Sequence, residues 1–249
     1  MSDKLALITG SSGGIGACIA RTAHRNGYRV ALLDVNAQAL ERVASELDGA
    51  QVHACDITDH EAIETMLDRL GAVPDLLVNN AGIVKFAPVL EISVADFRRV
   101  VDIDLTGAFI VSQAVARRLR DAGRPGNIVN ISSIGGITPS PGTNAYAASK
   151  AGLAKLTELM AIELGPLGIR FNTVSPGFID GGMSAGLYAN PQTRAGRSAG
   201  VPLKRLGTEQ DVADAVMFLA SDAASYISGH NLVVDGAVTH SVLLQVSRD

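Results

Sequence analysis

The 249-residue sequence lacks tryptophan, has only two cysteines and carries few aromatic residues of any kind. Cys18 and Cys55 do not form a CxxC motif, which excludes a disulfide framework and a paired-thiol metal site. The five histidines are scattered and no HExxH motif occurs, so we expect no dedicated metal site. The net charge is −4 and no Lys/Arg block is present, which argues against a nucleic-acid partner.

Long apolar runs are missing as well. The first ten residues contain too short an apolar run for a signal peptide, and no later run approaches the length of a membrane span. We therefore expect a cytoplasmic protein with no membrane partner.

The sequence does contain a regular alternation of short apolar runs and longer amphipathic stretches. The short runs predict strands at 5–9, 29–33, 51–55, 76–79, 127–131, 170–175 and 232–234. Several of them show little polar alternation, which is typical of parallel strands buried on both faces. The amphipathic stretches predict helices at 15–26, 37–47, 61–70, 95–122, 145–165 and 209–220. This pattern predicts an α/β fold in a single domain over residues 1–249, with a doubly wound parallel sheet of about seven strands and helices on both faces.

One stretch breaks this rhythm. Residues 181–200 are rich in glycine, alanine, serine and polar residues and lie between the sixth predicted strand and the last predicted helix. A long irregular segment in a compact domain is often a lid over a site, and a plain surface loop is the equal alternative. We place the candidate substrate lid at residues 181–205.

A glycine-rich motif, TGSSGGIG at residues 9–16, follows the first predicted strand and opens the first predicted helix. Glycines allow a tight turn and let the backbone approach a pyrophosphate, while the free N–H groups of the helix start face its negative charge. Any strand–helix turn can use glycine, but this context favours phosphate binding. The residues expected to contact the ligand here are Gly10, Ser12, Gly14, Ile15 and Gly16.

Asp34 stands at the end of the second predicted strand, 18 residues after Gly16. A carboxylate there can accept hydrogen bonds from the adenosine ribose hydroxyls of a dinucleotide and would repel a 2′-phosphate. Nothing basic stands at Gly13, so the sequence favours NAD over NADP. The alternative is that Asp34 caps the following helix, a role that aspartate also suits.

Tyr146 and Lys150 are four residues apart within a predicted helix, so their side chains lie on one face. A free phenol has a pKa near 10 and is a poor base at neutral pH. One ammonium about 4 Å away stabilises a phenolate by up to about 4 kcal/mol at an effective dielectric constant of about 20. The pair is therefore a candidate for general acid–base chemistry, since a chance YxxxK match is rare in this composition.

Together these motifs resemble the short-chain dehydrogenase/reductase family, in its classical branch, over nearly the whole chain. Residues 9–16 are similar to the family's TGxxxGxG, residues 79–82 match its NNAG and residues 146–150 match its YxxxK. Residues 172–177 resemble the end of strand six that meets the nicotinamide, and residues 203–213 and 233–236 also read as family segments. The resemblance implies a Rossmann-type fold and an oxidoreductase that moves a hydride between a nicotinamide and a secondary alcohol or ketone.

The resemblance also implies roles for individual residues. Tyr146 would exchange a proton with the substrate oxygen, and Lys150 would support Tyr146 and hold the nicotinamide ribose. Ser133, thirteen residues before Tyr146, would hydrogen-bond the substrate oxygen, with Ser132 as its nearest competitor. The implied cofactor contacts beyond the glycine motif are Asp56, Ile57, Asn80, Ala81, Gly82, Tyr146, Lys150, Pro176, Gly177 and Ile179.

Two positions depart from the family pattern. Asp104 replaces the asparagine that usually precedes Leu-Thr-Gly, whose backbone carbonyl holds a water linked to the lysine. Asp104 keeps that carbonyl and adds a negative charge near Lys150, so we expect it to join the catalytic group and to make the pH optimum more alkaline. Gly181 replaces a common threonine, so a cofactor contact is lost or replaced there. The Gly181-Gly182 pair is either a hinge of the lid or a simple turn.

The segments expected around the substrate, residues 135–138 with Asn144 and residues 183–188, suggest a largely apolar pocket. We therefore expect a small neutral secondary alcohol or ketone as the substrate. Arg194 and Arg197 in the lid are either anion contacts or solvent-exposed side chains. Two alternatives stay open, namely an NADPH-dependent 3-oxoacyl thioester reductase on the same scaffold and a non-catalytic dinucleotide-binding regulator.

The quaternary structure is also implied by the resemblance, because the family commonly forms tetramers. The tail at residues 240–246 is apolar for a chain terminus. Exposed contiguous apolar surface tends to be covered, so we favour an interface over a frayed tail and expect a homotetramer.

Overall fold

The computed structural model describes residues 4–241 of the chain. The strands are β1 Leu5–Thr9, β2 Arg29–Asp34, β3 Gln51–Ala54, β4 Leu76–Asn79, β5 Gly126–Ile131, β6 Ile169–Pro176, β7 Ile179–Asp180, β8 Gly207–Thr208 and β9 Asn231–Val234. The α-helices are α1 Gly14–Arg25, α2 Ala37–Ala44, α3 His60–Arg69, α4 Val94–Val101, α5 Ala108–Asp121, α6 Asn144–Leu164, α7 Ala185–Tyr188, α8 Pro191–Gly200 and α9 Glu209–Ala220. The apolar tail that we expect to form an interface lies, from residue 242 onward, outside the described residues.

Seven strands form one parallel sheet in the order β3-β2-β1-β4-β5-β6-β9, and β7 pairs with β8 separately. In the register of β1, Leu7 lies opposite Ala31 on β2 and opposite Leu77 on β4. The predicted Rossmann-type, doubly wound sheet is confirmed. The chain order reverses between β1 and β4, and ligands of open α/β sheets bind at such a reversal, beside the carboxyl ends of the strands.

Helices cover both faces of this sheet because successive strand residues point to opposite sides. Ala6 and Ile8 of β1 face one core, which α1, α2 and α9 complete. Leu5 and Leu7 face the other core, which α3, α5 and α6 complete. Every residue of β1 is buried, and this explains why its sequence shows no polar alternation.

The prediction of one continuous helix at 95–122 is wrong, because the segment is interrupted. The structure divides it into α4, a π-helical turn at Asp102–Gly107 and α5. A π turn accommodates one extra residue and is frequent at functional sites. Here it buries the Asp104 side chain completely, and Gly107 lies so close to Ile57 that a methyl group at residue 107 would be 2.7 Å from the Ile57 side chain.

The prediction of an irregular segment at 181–200 is also wrong. A short 3-10 turn at Gly182–Ser184 leads into α7 and then α8. Asn190 caps α8, since its side-chain oxygen accepts hydrogen bonds from the backbone of Gln192 and Thr193 at 2.9 and 3.1 Å. Proline at the first helical position suits a helix start, so local signals offset the low helix propensity of the glycines.

Within residues 4–241, no helix is long and apolar enough to cross a membrane, and no group of three or more His, Cys, Asp or Glu side chains is placed to hold a metal ion.

Candidate active site

The glycine motif between β1 and α1 is held against the end of β4. The Asn80 side-chain amide donates hydrogen bonds to the backbone carbonyls of Thr9 and Gly10 at 3.1 and 2.9 Å. The Thr9 hydroxyl accepts the backbone N–H groups of Asn80 and Ala81 at 3.0 Å each. A methyl group at Gly16 would overlap the carbonyl oxygen of Gly10, so this close approach requires glycine.

A cavity of about 610 Å³ opens at this edge of the sheet, where the strand order reverses. Ten of the residues expected to contact the cofactor line it, namely Gly10, Ser12, Gly14, Ile15, Asp34, Asp56, Ile57, Asn80, Ala81 and Gly82. The cavity therefore joins the glycine motif, the end of β2 and the residues after β4 into one site.

Six expected cofactor residues do not line this cavity, and two of them, Tyr146 and Lys150, lie beside it and are described below. Gly16 lies beneath the motif and supports Gly10, as described above. Pro176 is buried at the end of β6, and Gly177 packs against Asp235. Ile179 is buried in β7, and a methyl group at residue 207 of β8 would lie 2.6 Å from the end of its side chain. The side chains of Pro176 and Ile179 therefore pack within the fold.

Asp34 presents its carboxylate to the cavity while both oxygens are held by the backbone. Its Oδ2 accepts the backbone N–H of Ser12 at 3.3 Å, and its Oδ1 accepts that of Asn36 at 3.0 Å. The cap of α2 is Asn36, whose side-chain oxygen accepts the Ala39 N–H at 3.0 Å. The alternative reading of Asp34 as the helix cap is therefore wrong.

Lys150 is almost completely buried on α6, one turn after Tyr146. Its Nζ donates a hydrogen bond to the carbonyl of Ile131 at 3.0 Å and lies 5.6 Å from the centroid of the Tyr146 ring. The carbonyl at the end of β5 thus fixes the ammonium beside the phenol. A methyl group at Gly82 would lie 3.2 Å from this Nζ, so the pair adjoins the cavity that Gly82 lines.

Ser133 also lies near Tyr146. A methyl group at Gly135 would be 3.4 Å from the Ser133 hydroxyl oxygen and 3.6 Å from Cε1 of Tyr146. The two side chains therefore flank one point, and the hydroxyl and the ring edge are at most about 7 Å apart. The Ser132 hydroxyl is instead buried and donates to the backbone carbonyl of Lys150 at 2.8 Å. This geometry favours Ser133 over Ser132 as the serine that meets a substrate.

The Asp104 carboxylate is fully buried and faces the lysine. Its Oδ1 accepts the backbone N–H of Ile83 at 2.8 Å, and its Oδ2 lies 3.5 Å from Lys150 Nζ. Burial raises the pKa of Asp104, while the Lys150 charge and the Ile83 hydrogen bond act in the opposite direction. The structure thus brings Ser133, Tyr146, Lys150 and Asp104 to one place beside the cavity.

The start of the candidate lid closes onto the glycine motif. A methyl group at Gly14 would lie 2.8 Å from the Cα of Gly182. The Gly182 N–H donates to Oε1 of Glu209 at 2.9 Å, and the same carboxylate leaves no room for a side chain at Gly181. Glu209 thus contacts the position where the family has threonine, a contact that no sequence signal indicated.

The two lid arginines have partners inside the fold. Arg194 forms a two-pronged ion pair with Asp180, with its Nη2 2.7 Å from a carboxylate oxygen. The Arg197 guanidinium lies 4.2 Å from the centroid of the Phe178 ring. Arg194 is therefore paired with a carboxylate, whereas Arg197 packs on an aromatic face and keeps its positive charge.

Comparison with known proteins gives a consistent assignment. The family model adh_short_C2, described as enoyl-(acyl carrier protein) reductase, matches residues 10–239. The chain belongs to the short-chain dehydrogenase/reductase family. It is 41% identical to the cis-4-hydroxycyclohexanecarboxylate dehydrogenase of Sinomonas cyclohexanicum over 96% of this chain and 97% of that one. It is 38% identical to the 3-oxoacyl-(acyl-carrier-protein) reductase FabG of Rickettsia conorii over 96% and 98%.

A solved structure supports the same assignment. The structure of 4-hydroxyisoleucine dehydrogenase complexed with NADH matches with a TM-score of 0.90 and 35% identity, over 96% of this short-chain dehydrogenase/reductase and 99% of that chain. The relatives of this chain therefore include both dehydrogenases and 3-oxoacyl reductases.

Several cavity residues of this short-chain dehydrogenase/reductase were not predicted, namely Leu33, Cys55, Ile83, Arg99 and Ile103. Arg99 and Ile103 are four residues apart, so a shared helical face was available as a signal. Nothing in the sequence indicated that this face reaches the cavity, because that depends on how α4 and the π turn pack.

Proposed function

We propose that this protein is an NAD(H)-dependent oxidoreductase that interconverts a small secondary alcohol and the corresponding ketone. The observation that carries the proposal is the convergence of Ser133, Tyr146 and buried Lys150 beside Gly82, at the edge of the dinucleotide cavity. The glycine cradle at Gly10 and Gly16 and the carboxylate of Asp34 fit a dinucleotide, since neither glycine site has room for a side chain.

The cofactor, when bound, supplies or accepts the hydride. Tyr146 takes the proton from the alcohol oxygen during oxidation and returns it to the ketone oxygen during reduction. Lys150 stabilises the phenolate with its positive charge, and the Ile131 carbonyl holds that charge in place. Ser133 donates a hydrogen bond to the same substrate oxygen and so fixes its distance from the phenol.

The preference for NAD over NADP rests on Asp34. Its carboxylate is held at the cavity wall, where it can accept hydrogen bonds from the ribose hydroxyls and would repel a 2′-phosphate. Gly13 also lines the cavity and offers no positive charge. The neighbour solved with NADH supports this choice, whereas the FabG relatives favour the alternative of a 3-oxoacyl thioester reductase.

A neutral substrate is favoured by the lid. Asp180 neutralises Arg194, and the Arg197 guanidinium lies against the Phe178 ring, so one of the two arginines already has an anionic partner. Met183, which lines the cavity and is largely exposed, supports the candidate lid at residues 181–205. We also propose that the protein is cytoplasmic and forms a homotetramer. Exposed apolar side chains that a partner subunit would cover, such as Leu90 and Ile162, support the tetramer.

The test is absorbance at the reduced-nicotinamide band, with a panel of secondary alcohols at mildly alkaline pH and with NAD and NADP in parallel. The panel includes cis-4-hydroxycyclohexanecarboxylate and 4-hydroxyisoleucine, the substrates in the relatives' names. Turnover with NAD supports the proposal, and turnover only with NADP would overturn the role of Asp34.

Tyr146→Phe separates an enzyme from a non-catalytic dinucleotide-binding regulator. We expect this variant to lose turnover by at least about a hundredfold, because the acid–base group is gone, while it still binds NADH. Tyr226→Phe, at a fully exposed tyrosine, is the matched control and should keep wild-type turnover. Unchanged turnover in Tyr146→Phe would contradict the assigned role.

A further inference from the structure

We propose that Asn144 is a positioning residue for Tyr146, and that it ties the segment at residues 83–88 to the first turn of α6. The inference rests on the proposed function, since it concerns the placement of the acid–base tyrosine. From the sequence we expected Asn144 to line the substrate pocket, but its side chain bonds to backbone instead.

The backbone conformation of Asn144 is the first observation that supports this positioning role. Helix α6 begins at Asn144, two residues before Tyr146, and φ at Asn144 is +29°. A positive φ is uncommon outside glycine and is strained at a helix start. Such strain persists only where surrounding contacts impose it, and it is most frequent at functional sites.

The side-chain amide of Asn144 supplies those contacts. Its Nδ2 donates to the carbonyl oxygens of Ala87 and Gly142 at 2.9 and 3.0 Å, and Lys85 O lies 3.4 Å away. Its Oδ1 accepts the backbone N–H of Ala145 at 2.6 Å. The Ala87 N–H donates to Gly142 O at 3.1 Å, so two independent bonds join the segment to the residues that precede α6.

The other end of the same segment reaches the lysine side of the site. The Ile83 N–H donates to Asp104, whose second oxygen faces Lys150 Nζ at 3.5 Å. The five residues 83–87 therefore connect Asp104, the neighbour of Lys150, with Asn144, which stands two positions before Tyr146. The relative placement of phenol and ammonium depends on both ends, and catalysis is sensitive to displacements of about 1 Å.

Asparagine meets both requirements of this position at once. It tolerates a positive φ better than most side chains, and its amide donates to carbonyl oxygens. Aspartate keeps the size and the bond to the Ala145 N–H, but it would place an acceptor against the carbonyls of Ala87 and Gly142. Glycine keeps the backbone conformation without strain but has no donor.

The experiment compares Asn144→Asp and Asn144→Gly with the wild type in the full chain. The measurements are kcat and KM for the most active alcohol of the panel with NAD, the Kd for NADH, and hydrogen exchange of peptides covering residues 83–90 and 142–148. Asn26→Asp is the matched control, since Asn26 is an exposed asparagine whose amide also donates to a backbone carbonyl, that of Thr22 at 2.8 Å.

We expect both Asn144 variants to lose kcat by at least tenfold, with KM changed by less than threefold and with Kd for NADH within twofold of wild type. A parallel loss of kcat and kcat/KM is the sign of an interaction that acts on the transition state. Both peptides should exchange faster in these variants, and neither should in Asn26→Asp. The glycine variant keeps the test valid where aspartate prevents folding, because it removes the strain.

Two results would overturn the inference. One is a kcat within twofold of wild type in both Asn144 variants, and the other is unchanged exchange of both peptides. A loss of kcat accompanied by an equal loss of NADH affinity would also refute it, because a general loosening of the fold then explains the effect. A silent wild type contradicts the proposed function, and the exchange of the two peptides still decides whether Asn144 holds the segment.

Discussion

Replacing Asp104 with asparagine should shift the pH dependence of turnover to lower pH. Lys150 Nζ lies 5.6 Å from the Tyr146 ring centroid and 3.5 Å from a carboxylate oxygen of Asp104. The carboxylate therefore opposes the effect of the ammonium on the phenolate. Asparagine keeps the size of the side chain, and its oxygen can still accept the Ile83 N–H, but it removes the charge.

The distances bound the size of this effect. With an effective dielectric constant of about 20, an ammonium 5.6 Å from the ring stabilises a phenolate by about 3 kcal/mol. The carboxylate oxygen is at most about 9 Å from the ring centroid, and the phenolate oxygen lies roughly 3 Å from that centroid, so the repulsion is about 1.4 to 2 kcal/mol on the same scale. Since about 1.4 kcal/mol corresponds to one pH unit, removing the charge should move the profile by roughly one unit.

The assay is kcat for alcohol oxidation with NAD between about pH 6 and pH 10, where phenolate is the active form and the rate rises with pH. Asp104→Asn should move the midpoint of this rise to lower pH. Asp102→Asn removes a charge from the same π-helical turn at an exposed position and should leave the midpoint in place. An unchanged midpoint in Asp104→Asn would refute the electrostatic reasoning.

A second readout of Asp104→Asn does not depend on turnover. Burial raises the pKa of Asp104 above its unfolded value, so the native state binds this proton more tightly than the unfolded state does. The wild type therefore loses stability as pH rises from the unfolded pKa towards the folded one, and asparagine does not. The Tm difference in favour of Asp104→Asn should be larger at pH 8 than at pH 4, and a difference of opposite sign would contradict this account.

Two further predictions concern the cofactor and the assembly. Asp34→Ala should weaken NADH binding by at least about tenfold, since charge-assisted hydrogen bonds contribute roughly 1.5–3 kcal/mol, and it should narrow the preference over NADPH. Asp48→Ala, at an exposed carboxylate, is the control, and retained selectivity in Asp34→Ala would refute the ribose contact. Deleting residues 241–249 should lower the sedimenting mass or the Tm, and no change in either would remove the argument for an interface at the tail.

The sheet was predictable because its signal is local. The apolar runs at the start of β1 and β4 are uninterrupted, since a parallel strand covered on both faces needs no polar side, as the five buried residues of β1 show. The glycine motif and the Asn80 turn were predictable for a related reason. Backbone contacts at these turns exclude larger side chains, so the need for particular residues can be seen in the residue types and their spacing.

The helices within residues 181–200 were missed because the composition of this segment and its helix caps favour different structures. Residues 181–200 contain five glycines, which lower helix propensity. The Asn190 cap and the following proline nevertheless start α8, and buried Tyr188 anchors the turn before it. Asp180 then pairs with Arg194, one of the two arginines that sequence alone left available to a substrate.

The role of Asp104 depends on contacts with residues that are far from it in the sequence. The sequence identifies it as a departure from the family pattern, but its partners Ile83 and Lys150 are 21 and 46 residues away. A methyl group at Gly82 would lie 3.2 Å from both Asp104 Oδ2 and Lys150 Nζ, so glycine at residue 82 leaves space beside the buried pair. A residue after β4 that was expected to serve the cofactor therefore also packs against the carboxylate and the ammonium. The carboxylate at residue 104 itself faces the lysine that supports Tyr146, and so it acts on that lysine directly.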